Sequence, residues 1–127
     1  MTRPRRSPAV EAWLDSRPLE SLFISETAVG ELLQGIFHLP ESKRRAEIEL
    51  WLERDVLPMF AGRILPVDRP TWTIWGRLSG EAMRRGKPLP VIEALLLATA
   101  ISHDLTLATR DRGVAGLGAR VVDPWRK

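Results

Sequence analysis

The sequence predicts an α/β fold: a short parallel sheet covered on both faces by helices. Three observations carry this expectation. Four short apolar runs alternate with longer segments of helical periodicity, the order expected of strands joined by helical crossovers. The runs are short and mainly apolar, as strands buried on both faces are. The chain has 127 residues, 44% hydrophobic and 28% charged, which suits one globular domain spanning 1–127.

The elements follow in order. Ser7-Pro8 reads as a helix start, with Ser as N-cap and Pro at the first helical position. Val10, Trp13 and Leu14 recur at helical spacing until Arg17-Pro18 stops them. Leu22-Phe23-Ile24 is expected to be a buried strand. Ser25 or Thr27 then caps a helix with an apolar stripe of Val29, Leu32, Leu33 and Ile36. Pro40 opens a charged helix with Ile48, Trp51 and Leu52 on one side and Lys43-Arg44-Arg45 outward. Arg63 to Val67 is the second strand candidate. A helix from Pro70 to Arg85 follows, carrying Trp72, Trp75, Leu78 and Ala82, and Gly86 ends it in a left-handed cap. Pro90 to Ser102 is apolar almost all round, so this helix is expected to be buried. Leu105–Thr109 and Arg120–Val122 are the last two strands, separated by a Gly-rich turn.

Composition excludes several classes. Without Cys there is no disulfide framework, thiolate zinc site or cysteine nucleophile. The longest apolar stretch, Ala94–Ile101, is far short of the ~20 residues a bilayer requires. The basic start, Met1-Thr-Arg-Pro-Arg-Arg, lacks the apolar region of a signal peptide. A cytoplasmic protein with no membrane association is the expectation. Net charge is +3 and the sequence pI about 10.2, with Arg dominating the basic set. Such a surface tolerates phosphate partners, because Arg presents a planar fork of donors.

Three acids stand out. Glu31 lies in an apolar helical segment after the first strand, and Glu93 is the only ionisable residue in Leu89–Ala100. Asp111 falls two residues past Thr109, at the carboxyl end of a strand, where open α/β sheets bind ligands. A buried carboxylate without a partner is costly. Three carboxylates near one end of a sheet repel, and a hard divalent cation relieves that repulsion while leaving positions for phosphate and water. Each acid also has a bland reading. Glu31 and Glu93 suit helix N-termini, where the macrodipole favours negative charge, and Asp111 suits a turn.

Other signals are weaker. Gly113-Val-Ala-Gly116-Leu-Gly118 precedes a strand instead of opening a helix and reads as a plain loop. His38 and His103 lie near helix C-termini without metal-type spacing. The five Trp residues fit helical core faces, with at most one or two left to stack on bases.

At these residues the sequence resembles the PIN-domain family, specifically its VapC-type (FitB-like) ribonuclease toxins. The carriers are Arg3–Leu14, Leu22–Ser25, Glu31–Ile36, Gly62–Pro66, Pro88–Ala100, Leu105–Asp111, Gly116–Gly118 and Val121–Trp125. Their order and spacing cover nearly the whole chain. The resemblance implies a three-layer α/β/α fold with a short parallel sheet. It further implies an endoribonuclease dependent on Mg²⁺ (or Mn²⁺), with Glu31, Glu93 and Asp111 as catalytic metal ligands, directly or through water. Glu93 stands where the family usually has Asp. Arg110 and Arg112 flank the site and are expected to hold RNA phosphates. A VapB-like antitoxin and a homodimer are the implied partners.

Two departures are visible. Family members begin with a strand followed by Asp-Thr-Asn, and this central strand and its Asp are absent from the present chain. A late start, a gene remnant or a sheet completed from another chain would each account for it. Val114-Ala115 also stands about where a further acid is expected. The rival readings are a catalytically impaired or dead remnant that keeps antitoxin or RNA binding, and a nucleic-acid-binding module without chemistry.

Overall fold

The computed structural model describes residues 8–110, 112–114 and 116–125. Helix α1 (Pro8–Asp15) leads through a single 3₁₀ turn to strand β1 (Ile24–Ser25). The first helix begins at Pro8 as expected; its proposed cap, Ser7, lies outside the described residues. Ser25 then ends β1 and caps α2 (Glu26–His38), its Oγ accepting the N–H groups of Thr27 at 2.8 Å and Ala28 at 3.3 Å. Of the two cap candidates, Ser25 is the one used.

Helix α3 (Lys43–Trp51) starts three residues later than Pro40 because Ser42 is its cap, accepting from the Arg45 N–H. The chain then stays helical beyond Leu52, which the sequence pattern did not foretell. Residues Leu52–Val56 form a widened π turn leading into α4 (Leu57–Met59). Pro58 gives the physical reason. It has no N–H and its ring crowds the carbonyl four residues back, so the backbone widens ahead of it instead of breaking.

Strand β2 (Ile64–Leu65) follows, then α5 (Arg69–Arg84), α6 (Val91–Ser102), β3 (Leu107–Ala108) and β4 (Val121–Val122). Gly86 takes φ +76° past the end of α5, the left-handed turn its position predicts. Strands β1 and β2 pair in parallel, Ile24 opposite Ile64, and β3 pairs with β4 in parallel, Leu107 opposite Val121. Each strand has only two residues, and the first is displaced from Leu22-Phe23-Ile24: it keeps Ile24, adds Ser25 and leaves Phe23 outside it and exposed, so that run is not the buried strand expected. The expected single parallel sheet is, among the described residues, two separate two-stranded parallel pairs. Arg63 fastens the β2 end: its Nε donates to the Leu22 carbonyl at 3.0 Å and its Nη2 to that of Met59.

The core centres on α6. Ala94, Leu95, Leu97, Ala98, Thr99 and Ala100 are all buried, as its all-apolar sequence requires. They are joined by Val29 and Ile36 of α2, by Leu52 and by Val114. Thr99 is tolerated there because its hydroxyl donates to the Leu95 carbonyl at 2.8 Å. Two side-chain expectations are corrected. Leu32 is exposed, since the buried face of α2 runs from Val29 to Ile36 and Leu32 lies at its edge. The Trp residues are not all helical core: Trp72 is exposed, stacked edge-on against half-buried Trp75, and Trp125 is exposed and lies on no helix.

Candidate functional site

Glu31 lies in the second turn of α2 and is exposed. The acid of the first turn is Glu26, so the dipole of α2 does not account for Glu31. Nor does burial. The residue is exposed, contrary to the apolar setting its neighbours suggested.

Glu93 occupies the first turn of α6 and is half-buried, between exposed Val91 and Ile92 on one side and fully buried Ala94 on the other. Its backbone position is set by Pro90, whose carbonyl accepts the Ala94 N–H at 3.0 Å and starts the helix. The macrodipole favours an acid here, so the dipole reading of Glu93 stands beside the ligand reading. Helices α2 and α6 pack against each other, so these two acids ride on touching elements.

Asp111 lies outside the described residues. Among those that are described, no group of three or more His, Asp or Glu side chains is arranged to hold a metal ion. The donor chemistry nonetheless fits a hard cation: Glu31 and Glu93 offer carboxylate oxygens, and Mg²⁺ commonly takes only one or two carboxylates, completing its shell with water and substrate phosphate. The chain supplies no thiolate.

Beyond β3, the Thr109 N–H donates to the Val122 carbonyl at 2.9 Å, which keeps the ends of β3 and β4 in step. Arg110 follows, exposed, its guanidinium 4.7 Å from the centroid of the Trp125 ring. Arg112 opens a 3₁₀ turn that ends at buried Val114. The Gly-rich segment after it is a loop, with Gly116 and Gly118 at positive φ. Arg120 is engaged elsewhere, with Asp104 at 3.0 Å and the Asp104 carbonyl at 2.8 Å, closing the turn before β3. His38 ends α2 and His103 caps α6, as expected.

Asp68 is an acid whose protonation is clearly perturbed. The Thr71 hydroxyl donates to its Oδ1 at 2.6 Å and the Thr71 N–H at 3.1 Å, and these bonds hold the carboxyl below its ordinary value of 3.8. This is the N-cap of α5, a structural use that needs no ligand. A cleft of about 190 Å³ between the end of α5 and the loop at Gly116 is lined by Leu78, Glu81, Arg85 and Leu89; Glu31, Glu93 and Arg110 do not border it.

Trp125 lies on no helical core face: it follows the last strand, in Val-Val-Asp-Pro-Trp, a place that already argues against one, and it is exposed.

Comparison with known proteins gives a consistent result. The family model described as the PIN domain matches residues 2–119. The toxin FitB of Neisseria gonorrhoeae is 39% identical over 124 residues, covering 97% of this chain and 89% of that protein. A VapC ribonuclease, Y4jK, of Sinorhizobium fredii is 36% identical over 118 residues, covering 92% and 84%. Among solved structures, FitAcB from Neisseria gonorrhoeae superposes with a TM-score of 0.89 at 38% identity, covering 98% of this chain and 91% of the other. VapBC-1 from nontypeable Haemophilus influenzae shares the fold, with a TM-score of 0.74 at 18% identity over 95% and 87% of the chains.

Proposed function

We propose that this chain, which belongs to the PIN domain family, is a divalent-metal-dependent endoribonuclease, the toxin of a type II VapBC-like toxin–antitoxin pair. One observation carries the reading: 36% identity to a protein named a VapC ribonuclease, over a span that includes helices α2 and α6 with Glu31 and Glu93. The toxin role is supported by the likeness to toxin FitB.

Glu31, Glu93 and Asp111 are the residues that would hold Mg²⁺ or Mn²⁺. When bound, such an ion polarises a phosphoryl oxygen and lowers the pKa of water for attack on an RNA phosphodiester. The protein supplies the rest. The buried body of α6 fixes where Glu93 starts, and the Ser25 cap fixes the start of α2 and hence Glu31. Arg110 and Arg112 contribute positive charge for the phosphate backbone.

The partner is an antitoxin of the VapB type, the counterpart expected of a chain 39% identical to a protein named toxin FitB. Exposed Trp72 suits a contact between two copies in a homodimer. The site of action is the cytoplasm. No helix among the described residues is long and apolar enough to cross a membrane.

The test is RNA cleavage by the purified chain. Cleavage is expected with Mg²⁺ or Mn²⁺ and not with EDTA, and Glu31→Gln and Glu93→Gln should each abolish it. Metal-independent cleavage that survives both substitutions would refute the reading. Glu93, standing where the family usually has Asp, favours as the second reading a catalytically impaired or dead relative that retains antitoxin or RNA binding. Calorimetric titration separates the two, since a dead relative takes up no Mn²⁺ yet binds antitoxin tightly.

A further inference from the structure

We propose that the Trp125 indole, held by Arg110, is a stacking platform for an unpaired base of single-stranded RNA, with the Arg110 guanidinium taking the adjoining phosphate. This rests on the ribonuclease reading and adds to it a residue that positions the substrate.

The platform is built by the ends of β3 and β4. Because the two strands are parallel and the Thr109 N–H bonds the Val122 carbonyl, both chains leave the pair at the same end. Arg110 emerges from one and Trp125 from the other. The Trp125 backbone is pinned: its N–H donates to Asp123 Oδ1 at 3.0 Å, and Pro124 before it is buried. The backbone that carries the ring is thereby fixed, and the ring itself has Arg110 against it, while 38% of the residue remains exposed. A preorganised aromatic loses little entropy on stacking with a base, and every base offers a π-face.

Arg110 differs from the other arginines that stack on aromatic rings here. Arg63, over Phe60, spends its donors on the carbonyls of Leu22 and Met59 and is a structural staple. Arg45 lies over Phe37 and joins α3 to α2, and Arg17 covers the half-buried Trp13 of α1. Arg110 is exposed and, among the described residues, makes no ion pair, which leaves its planar fork of donors beside the indole for a phosphate. Chain connectivity sets the location: Arg110 immediately precedes Asp111, one of the three acids proposed to hold the metal.

The experiment measures binding of the full chain to a short fluorescein-labelled single-stranded RNA, by anisotropy in EDTA at low salt. Trp125→Leu keeps apolar bulk and removes the ring, and Trp125→Phe keeps a smaller ring. Loss of one stacked base weakens binding roughly 5- to 150-fold, so Trp125→Leu is expected to fall in that range and Trp125→Phe to recover most of the affinity. Arg110→Ala should lower the slope of log K against log salt by about one. Equal affinity of Trp125→Leu and Trp125→Phe overturns the proposal, as does wild type that binds no RNA. Ring-dependent binding by a chain that cleaves nothing with Mn²⁺ would sink the ribonuclease reading and leave the platform standing. Cleavage with ring-independent binding would do the reverse.

Discussion

Replacing Leu97 by Ala tests the claim that the buried body of α6 holds this domain together. Leu97 is fully buried, 0% exposed, in the middle of α6, with buried Ala94, Ala98 and Ala100 around it on the same helix. The substitution removes three carbons from the interior, worth about 2.4 kcal/mol at roughly 0.8 kcal/mol per buried methylene. A cavity term adds to this where small alanine neighbours cannot close the gap, which places the total at about 3 kcal/mol within the 2–5 range for such changes. A domain of this size has an unfolding entropy of about 0.27 kcal/mol/K, so the expected fall in Tm is about 11 °C.

Urea unfolding followed by circular dichroism gives the free energy directly, and calorimetry gives Tm. Leu50→Ala is the matched control. Leu50 is 43% exposed on α3, and its loss should cost less than about 1 kcal/mol. If Leu97→Ala lies within 1 kcal/mol of wild type, or if the two substitutions cost the same, α6 is not the axis of the core. The argument that positions Glu93 through that helix would then fail with it.

Ser25→Ala should cost about 1 kcal/mol, because it removes the acceptor for the Thr27 and Ala28 N–H groups at the start of α2; urea unfolding measures it, and Ser25→Asp should restore most of the loss. Asp68→Asn probes charge at the cap of α5. The folded carboxyl sits below its ordinary value of 3.8, chiefly through the Thr71 hydroxyl, so its ionised form favours the native state. That contribution is present above the unfolded value and is lost as pH falls through the lower folded one. The Tm gap between wild type and Asp68→Asn should therefore be widest at neutral pH and close in acid; a gap that widens on acidification would contradict the sign.

The parts of the fold that were legible in the sequence are those in which one physical demand dominates. A run apolar almost all round, such as Pro90–Ser102, is expected to be buried, and its body from Ala94 to Ala100 is, whereas Val91 and Ile92 in its first turn are exposed. Gly86 after a run of helical periodicity marks a left-handed turn, and φ there is +76°. Strand length was not legible, because apolar character extends beyond the few residues that actually pair: Leu105–Thr109 contributes only Leu107 and Ala108 to a strand. The helical continuation past Leu52 was hidden by Pro58, which usually ends a helix but here is absorbed by a widened turn. Trp125 was hidden by its type, since tryptophan is more often core than surface.

The candidate site was only partly legible, because the same physics places acids at helix starts whether or not they bind a cation. Glu93 in the first turn of α6 satisfies the macrodipole and satisfies a metal, and its position alone does not separate the two. Its response to a metal does. A ligand binds the cation in the folded state only, so Mn²⁺ at a hundredfold excess over Kd stabilises by about 2.7 kcal/mol, or about 10 °C in Tm for a domain of this size. An acid that serves the dipole is indifferent to Mn²⁺. Wild type should therefore gain on the order of 10 °C in saturating Mn²⁺, and Glu93→Gln should lose most of that gain whatever it does to the metal-free Tm. Equal Mn²⁺ shifts in the two proteins would assign Glu93 to the helix and leave Glu31 and Asp111 to account for any metal bound.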